Sequence, residues 1–281
     1  MIILSPNILK DHSLLDSGNG QKLERFGDYL ISRPEPQAIW NKHLSPAEWN
    51  KAQAVFIETG NWQKRIQPPQ PWLFRHKDLA LELKLTPYKH TGVFPEQTVN
   101  WDWFSELINN SSNQPNVLNL FAYTGGATLA SASAGARVCH VDSSKPAIAW
   151  AKRNQELSKL TDKPVRWIVD DCLKFAEREV KRGIKYDAII MDPPAFGRDA
   201  SGKTFKLDRD LPRLLNLCTK LLSNKPLFFL INAYNVAHSP QTLKNLLGEF
   251  LPTKRIECGE LHLKQSDNDI SLPCSIYARY S

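Results

Sequence analysis

From residue 116 onward the chain alternates apolar runs with amphipathic stretches, and the two periods stay distinct. Asn116-Val117-Leu118-Asn119-Leu120-Phe121 is nearly continuous in apolar character, as a strand buried on both faces must be. It runs into the turn Tyr123-Thr124-Gly125-Gly126, and a helix of small residues, 127–134, follows. The pattern then predicts strand 137–141, helix 146–158, strand 165–169, helix 173–182 and strand 186–191. After a loop come helix 209–222, strand 227–232, helix 240–250 and two strands, 255–263 and 271–280, around the polar turn 265–269. Strand–helix units closing on an antiparallel hairpin imply an α/β fold. The expected sheet is Rossmann-like, doubly wound and seven-stranded, with ligands at the C-terminal ends of its strands.

Before residue 116 the pattern changes grain. A turn cluster, Asp16-Ser17-Gly18-Asn19-Gly20, precedes two short strands, 22–26 and 29–32, that read as a hairpin. Ser45-Pro46-Ala47-Glu48 is a capping box with proline at the first helical position, so a helix is expected over 46–56. A strand at 79–85 and a helix at 101–109 complete the reading. Six of the eight tryptophans and ten of the nineteen prolines lie before residue 116, a stretch that ends in the polar hinge Ser111-Ser112-Asn113-Gln114-Pro115. The expectation is a small β-rich α+β domain over 1–86, which positions substrate, and a ligand-binding domain over 87–281.

Composition narrows the classes. With 281 residues, 42% apolar and 23% charged, the chain is an ordinary globular one and can bury a sizeable core. Its net charge is unevenly placed: residues 1–113 carry 12 basic and 12 acidic side chains, residues 114–281 carry 24 and 17. A basic surface of that kind suits a polyanionic partner such as nucleic acid. The longest apolar run, Leu227-Phe228-Phe229-Leu230-Ile231, is far short of the about 20 residues that span a bilayer. Met1-Ile2-Ile3-Leu4 stops at Ser5-Pro6 without a basic lead-in, so a cytoplasmic protein with no membrane partner is expected. Five cysteines with no CxxC pair favour neither disulfides nor a metal.

The chemistry concentrates at strand ends. Asp142 ends the second strand of the alternating part, Asp170 and Asp171 the third, and Asp192 the fourth, where Pro193-Pro194 follows. A carboxylate after the second strand can accept from both hydroxyls of a ribose, and one after the third from an adenine amino group. Each alone would pass for a helix N-cap; three in register with a glycine turn are harder to explain that way. The turn Thr124-Gly125-Gly126-Ala127-Thr128-Leu129 lacks the glycine spacing that a dinucleotide pyrophosphate needs. A nucleoside without phosphate, S-adenosylmethionine, fits it better than NAD.

Asn119-Leu120-Phe121-Ala122-Tyr123-Thr124-Gly125, His140-Val141-Asp142 and Met191-Asp192-Pro193-Pro194-Ala195-Phe196-Gly197-Arg198 together resemble the class I S-adenosylmethionine-dependent methyltransferases. Within that class the chain is similar to the bacterial large-subunit rRNA methyltransferases acting on cytosine C5 or guanine N7. Asp16 to Glu24, Arg33 to Ala38 and Tyr88 to Gln97 resemble the small N-terminal domain of one branch of relatives, so the likeness covers nearly the whole chain. The resemblance implies that Asp142, with Ser143 beside it, holds the ribose and Asp171 the adenine amino group. It places Phe121, Tyr123, Thr124 and Gly125 around the cofactor, the last two at its methionine end. Phe94 and Gln97 would close the cofactor pocket.

Asp-Pro-Pro suits a planar nitrogen acceptor. The Asp192 carboxylate and the Pro193 carbonyl can both accept from an N–H and so orient the nitrogen toward a sulfonium methyl group. An aromatic residue then stacks on the flat acceptor. In the common pattern it follows the second proline directly; here Ala195 stands there and Phe196 comes one later, so stacking and core packing are both open for it. The expected catalytic set is therefore Asp192, Pro193, Pro194 and Phe196. Methylation at cytosine C5 requires a thiolate nucleophile. The ends of the fourth and fifth strands offer Ala195 and Asn232-Ala233-Tyr234 instead, which turns the expectation toward nitrogen. Arg198, Lys203, Lys206, Arg209 and Arg213 follow the motif as candidate phosphate contacts. The expected activity is methylation of a base nitrogen in RNA, rRNA above all, with a small-molecule or protein methyltransferase as the alternative. A nicotinamide oxidoreductase and a silent RNA-binding module are weaker readings.

Overall fold

The computed structural model describes residues 2–57, 60–198, 204–234, 237–266 and 268–281. In chain order the elements begin with β1 (Ile2–Leu4), β2 (His12–Gly18), β3 (Gln21–Phe26), β4 (Tyr29–Pro34), α1 (Pro46–Trp49), β5 (Ala54–Ile57) and β6 (Asn61–Lys64). Next come β7 (Leu73–His76), β8 (Leu79–Glu82), α2 (Thr98–Asn109), β9 (Asn116–Leu120), α3 (Gly126–Ser133), β10 (Arg137–Asp142) and α4 (Lys145–Leu157). Then follow β11 (Val165–Val169), α5 (Cys172–Lys181), β12 (Ala188–Met191), β13 (Phe196–Arg198), β14 (Thr204–Lys206) and α6 (Leu207–Leu221). The last are β15 (Phe228–Tyr234), α7 (Pro240–Gly248), β16 (Ile256–Lys264) and β17 (Ser271–Tyr280). They form two compact units: Met1–Leu4, Asn100–Leu261 and Ser275–Ser281 make the larger, Ser5–Val99 and His262–Cys274 the smaller. Where the sequence places a boundary at 86/87, the units part at 99/100, and the smaller one also takes in the tip of the C-terminal hairpin.

The larger unit carries one sheet in the order β1-β16-β17-β15-β12-β9-β10-β11. All seven expected strands are in it, and β1 adds an eighth, parallel to β16. From β9 the chain winds outward through β10 and β11, then returns to place β12 on the other side of β9, all in parallel register. That reversal is the switch point at which a ligand crevice opens beyond the strand ends. One sheet face is apolar: Leu120, Val141, Met191 and Ile231 pack with Phe175 of α5 and Leu211, Leu214 and Leu215 of α6. On α2, Phe104 stacks on Phe228 with ring centres 5.7 Å apart. Helix starts are capped as strand-to-helix turns favour, Ser144 taking the Ala147 N–H and Asp171 the Lys174 N–H, and Arg178 and Lys181 sit in the last turn of α5.

The smaller unit holds a sheet in the order β2-β3-β4-β5-β6 and the separate hairpin β7-β8. The expected β3–β4 hairpin is present, with Phe26 opposite Tyr29. Part of the expected turn cluster is strand: Asp16 to Gly18 belong to β2, and Asn19-Gly20 alone turns, both at positive φ. The expected helix 46–56 stops after Trp49. Ser45 does cap it, yet Ala54 and Val55 pair with Ile31 and Ser32, so sheet formation overrides the local helix signal. Asp16 holds this corner, accepting from the His43 and Leu44 N–H groups and from Trp49 Nε1.

Candidate active site

The strand ends bring the candidate residues into one row. Val141 is paired with Leu120, Leu120 with Met191, and Met191 with Ile231. The next residues on these four adjoining strands are Asp142, Phe121, Asp192 and Asn232. Asp142 Oδ2 accepts from the Tyr123 N–H and Oδ1 from the Ser144 N–H, each at 2.8 Å. Each oxygen keeps a second lone pair, so the pair remains able to accept from a vicinal diol. Burial raises the Asp142 carboxyl above its ordinary value, against the pull of these two amides. Ser143 lies half-buried between Asp142 and the cap of α4.

The turn after β9 is held in an uncommon conformation. Phe121 and Tyr123 stand at φ 55° and 50°, and Gly125 at 85°. Non-glycine residues there store about 1–3 kcal/mol each and persist only where contacts over-determine them. Those contacts are present: the Phe121 N–H points to Cys172 Sγ at 3.4 Å, and Asn154 Nδ2 donates to the Thr124 carbonyl at 2.9 Å. A side chain at Gly126 would overlap the Trp101 ring, so the two glycines serve the turn and its packing. Behind the turn, Asn119 Nδ2 donates to Thr128 Oγ1, which lies 2.9 Å from His140 Nδ1. Burial lowers the His140 pKa to about 3, so the ring is neutral and its Nδ1 shares a hydrogen bond with the Thr128 hydroxyl. Neither this relay nor the Cys172 contact was anticipated; their only trace in the sequence is Asn119 and His140 inside otherwise apolar strands.

Asp171 serves as the N-cap of α5 through Oδ1, which leaves Oδ2 for another donor. Its neighbour Asp170 is engaged by Arg178. Asp192 continues β12, its N–H directed at the Leu120 carbonyl. Pro193 is buried, Pro194 half-buried and Ala195 exposed. The expected loop here contains the hairpin β13–β14, Phe196 opposite Lys206. Phe196 is 57% exposed, which removes core packing as its role; Phe205 instead is the buried ring, 5.1 Å from Phe121. Among the basic candidates Lys206 is exposed, while Arg209 pairs with Asp210 and Arg213 with Glu177. Lys203 lies outside the described residues, as does the side chain of Arg198. Phe94 and Gln97 belong to the smaller unit, in and just before the turn Pro95–Gln97, with Gln97 buried.

Acceptors at Asp142 and at Asp171 Oδ2, beside a turn without a basic side chain, fit a ribose and an adenine that carry no phosphate. A family model described as S-adenosylmethionine-dependent methyltransferase matches residues 21–246. The chain belongs to that family. This methyltransferase is 38% identical to the SAM-dependent methyltransferase from Agrobacterium tumefaciens, whose crystal structure superposes with a TM-score of 0.94 over 100% of this chain and 93% of that one. It is 34% identical over 237 residues to the ribosomal RNA large subunit methyltransferase K/L of a Shewanella species, covering 78% of this chain and 33% of that relative. The K/L protein of Shewanella baltica is 37% identical over 212 residues, covering 70% and 29%. The methyltransferase thus spans about a third of the length of these curated relatives. Its cofactor is S-adenosylmethionine. Among the described residues, no three His, Cys, Asp or Glu side chains group as a metal site, and no helix is long and apolar enough to cross a membrane.

Proposed function

We propose that the methyltransferase acts on a base nitrogen in RNA, ribosomal RNA in particular. Bound S-adenosylmethionine supplies an electrophilic methyl group on a sulfonium. In this reading Asp142 takes the ribose hydroxyls, Asp171 Oδ2 the adenine amino group, and the turn Phe121 to Gly125 the remainder of the cofactor. The roles of Ser143, Phe94 and Gln97 belong to the same proposal and rest on the resemblance. Asp192 and the Pro193 carbonyl orient the acceptor nitrogen, so positioning supplies most of the catalysis. Phe196, exposed beside the motif, offers the stacking surface.

The observation that carries the choice of nitrogen is the placement of the thiols. Cys139, Cys172 and Cys218 are buried, and burial pushes all three thiols up, Cys139 to about 11. A thiol so protonated is a poor nucleophile for the covalent step that carbon methylation needs. The RNA substrate is supported by the names of the curated relatives. Labelled methyl transfer to in vitro-transcribed large-subunit rRNA, read by nucleoside mass spectrometry, tests both parts. An N-methylated nucleoside is expected. A C5-methylated pyrimidine, or an enzyme–RNA adduct on 5-fluoropyrimidine RNA, would overturn the nitrogen assignment; label in protein or metabolite extracts alone would overturn RNA.

A further inference from the structure

We propose that Asn232 is an acceptor-binding residue whose side-chain amide donates to the lone-pair atom beside the nitrogen that is methylated. The inference rests on the nitrogen-in-RNA reading and adds a second contact to the one assigned to Asp192. Its first support is register. Met191 and Ile231 are paired on β12 and β15, so Asp192 and Asn232 come next on adjoining strands, whose spacing is about 4.8 Å. Ile231 points into the apolar cluster, and alternation turns Asn232 to the opposite face, where Asn100 at the start of α2 meets it.

The second support is the state of the amide. Asn232 is 2% exposed and Asn100 fully buried, and Asn100 Nδ2 donates to Asn232 Oδ1 at 3.1 Å. In this arrangement the bond occupies the oxygen and leaves the amide nitrogen for a ligand. Among the described residues no acceptor takes an Nδ2 hydrogen, yet the atom is not wholly sealed from solvent. Its neighbours Phe228, Phe229, Leu230, Ile231 and Ala233 are all apolar and at most 1% exposed, so an amide in this run needs a reason beyond packing.

Base chemistry supplies the reason. An amino group next to a ring nitrogen, and a ring nitrogen next to a carbonyl, each stand beside an atom with a lone pair. An Asp192 acceptor and an Asn232 donor on adjacent strands would grip that edge at two points and remove the base's freedom to rotate in the plane of the sheet edge. A single carboxylate cannot do that.

The test uses the full chain, labelled S-adenosylmethionine and in vitro-transcribed large-subunit rRNA. Asn232→Asp replaces the donor by an acceptor of the same size, and Asn232→Ala removes it without introducing a charge. Both are expected to lower kcat/KM for RNA by about 10²-fold while cofactor affinity by calorimetry stays within about twofold. Asn100→Ala, which removes the bond that orients the amide, is expected to cost about tenfold. Wild-type kcat/KM in a folded Asn232→Ala enzyme would overturn the inference and leave the nitrogen reading standing. So would a fall in cofactor affinity that tracks the fall in turnover, which marks a structural role. A wild-type enzyme that binds cofactor but methylates no RNA would overturn that reading and the inference with it.

Discussion

The two units bury polar groups in different ways. In the smaller one a charged set closes on itself. Glu24 is wholly buried and accepts from Arg33 Nε at 2.6 Å and Nη2 at 3.0 Å, with His12 at 3.1 Å and Lys22 bridged onward to Glu35 at 3.1 Å. Burial alone would raise the Glu24 carboxyl; Arg33, then Lys22, outweigh it and hold it well below the usual carboxylate range. In the larger unit the polar groups at the strand ends instead keep capacity to spare: the second lone pairs of Asp142, Asp171 Oδ2 and the Asn232 amide. A network whose members satisfy one another specifies a fold, whereas one left open at a ligand crevice specifies a binding site.

The largest effect that could break this comparison lies in the closed network. Glu24→Ala leaves Arg33 buried without its carboxylate partner and Lys22 with Glu35 alone, and a loss of about 3–5 kcal/mol in unfolding free energy is expected by urea titration. A loss under about 1 kcal/mol would show that the network is incidental. The pH dependence has a definite sign. A carboxyl depressed in the folded state contributes stability above its unfolded value, near 4.5, and loses it as pH falls through that range. His12, lowered by burial, and His90, lowered by burial to about 4, act in the same direction below 6.5, while Glu96, raised by burial, opposes them. Stability should therefore fall more steeply between pH 6 and pH 3 in the wild type than in Glu24→Gln.

The open side is probed by two smaller effects. Asp192→Ala should lower turnover on RNA by about 10²-fold at unchanged cofactor affinity; an equal loss of both would assign Asp192 to the cofactor alone. Asp142→Ala should weaken S-adenosylmethionine binding at least about tenfold in calorimetry, and undiminished affinity would remove the ribose assignment. The smallest expected effect is none: replacing all five cysteines by Ser or Ala should leave single-turnover transfer unchanged once the folded fraction is corrected for. Inactivation of a folded protein by any one replacement would reopen covalent catalysis.

What was legible from the sequence differs between the units for a physical reason. β9, β12 and β15 are buried on both faces, so their apolar runs stand out without knowledge of their neighbours. In the smaller unit β3 and β4 were legible although they carry Lys22, Glu24 and Arg33 inward, where Arg33 meets Glu24 on the adjacent strand and Lys22 meets Glu35 just beyond β4, whereas β6 is short, polar and exposed and gives no alternating signal. The hairpin β13–β14 was missed since three-residue strands lie below any period. Ser45 to Glu48 signalled a helix start correctly and its length wrongly. Caps report where a helix begins, but the pairing of Ala54 with Ile31 determines where this one must end.

The order of strands and helices in the larger unit, the glycine turn, the carboxylates at strand ends and the want of a thiol beside Asp-Pro-Pro were all determined by residues close together in sequence. These features depend on local propensity and on side-chain type, which a linear reading contains. Only the tertiary structure decided that Asp142, Phe121, Asp192 and Asn232 share one row, since that depends on parallel register between strands joined by long crossovers. It alone decided that Phe196 is exposed while Phe205 is buried, and that Asn100 holds Asn232 across 132 residues of chain. A contact at that separation forms only when the whole sheet has assembled, and no local pattern can encode it.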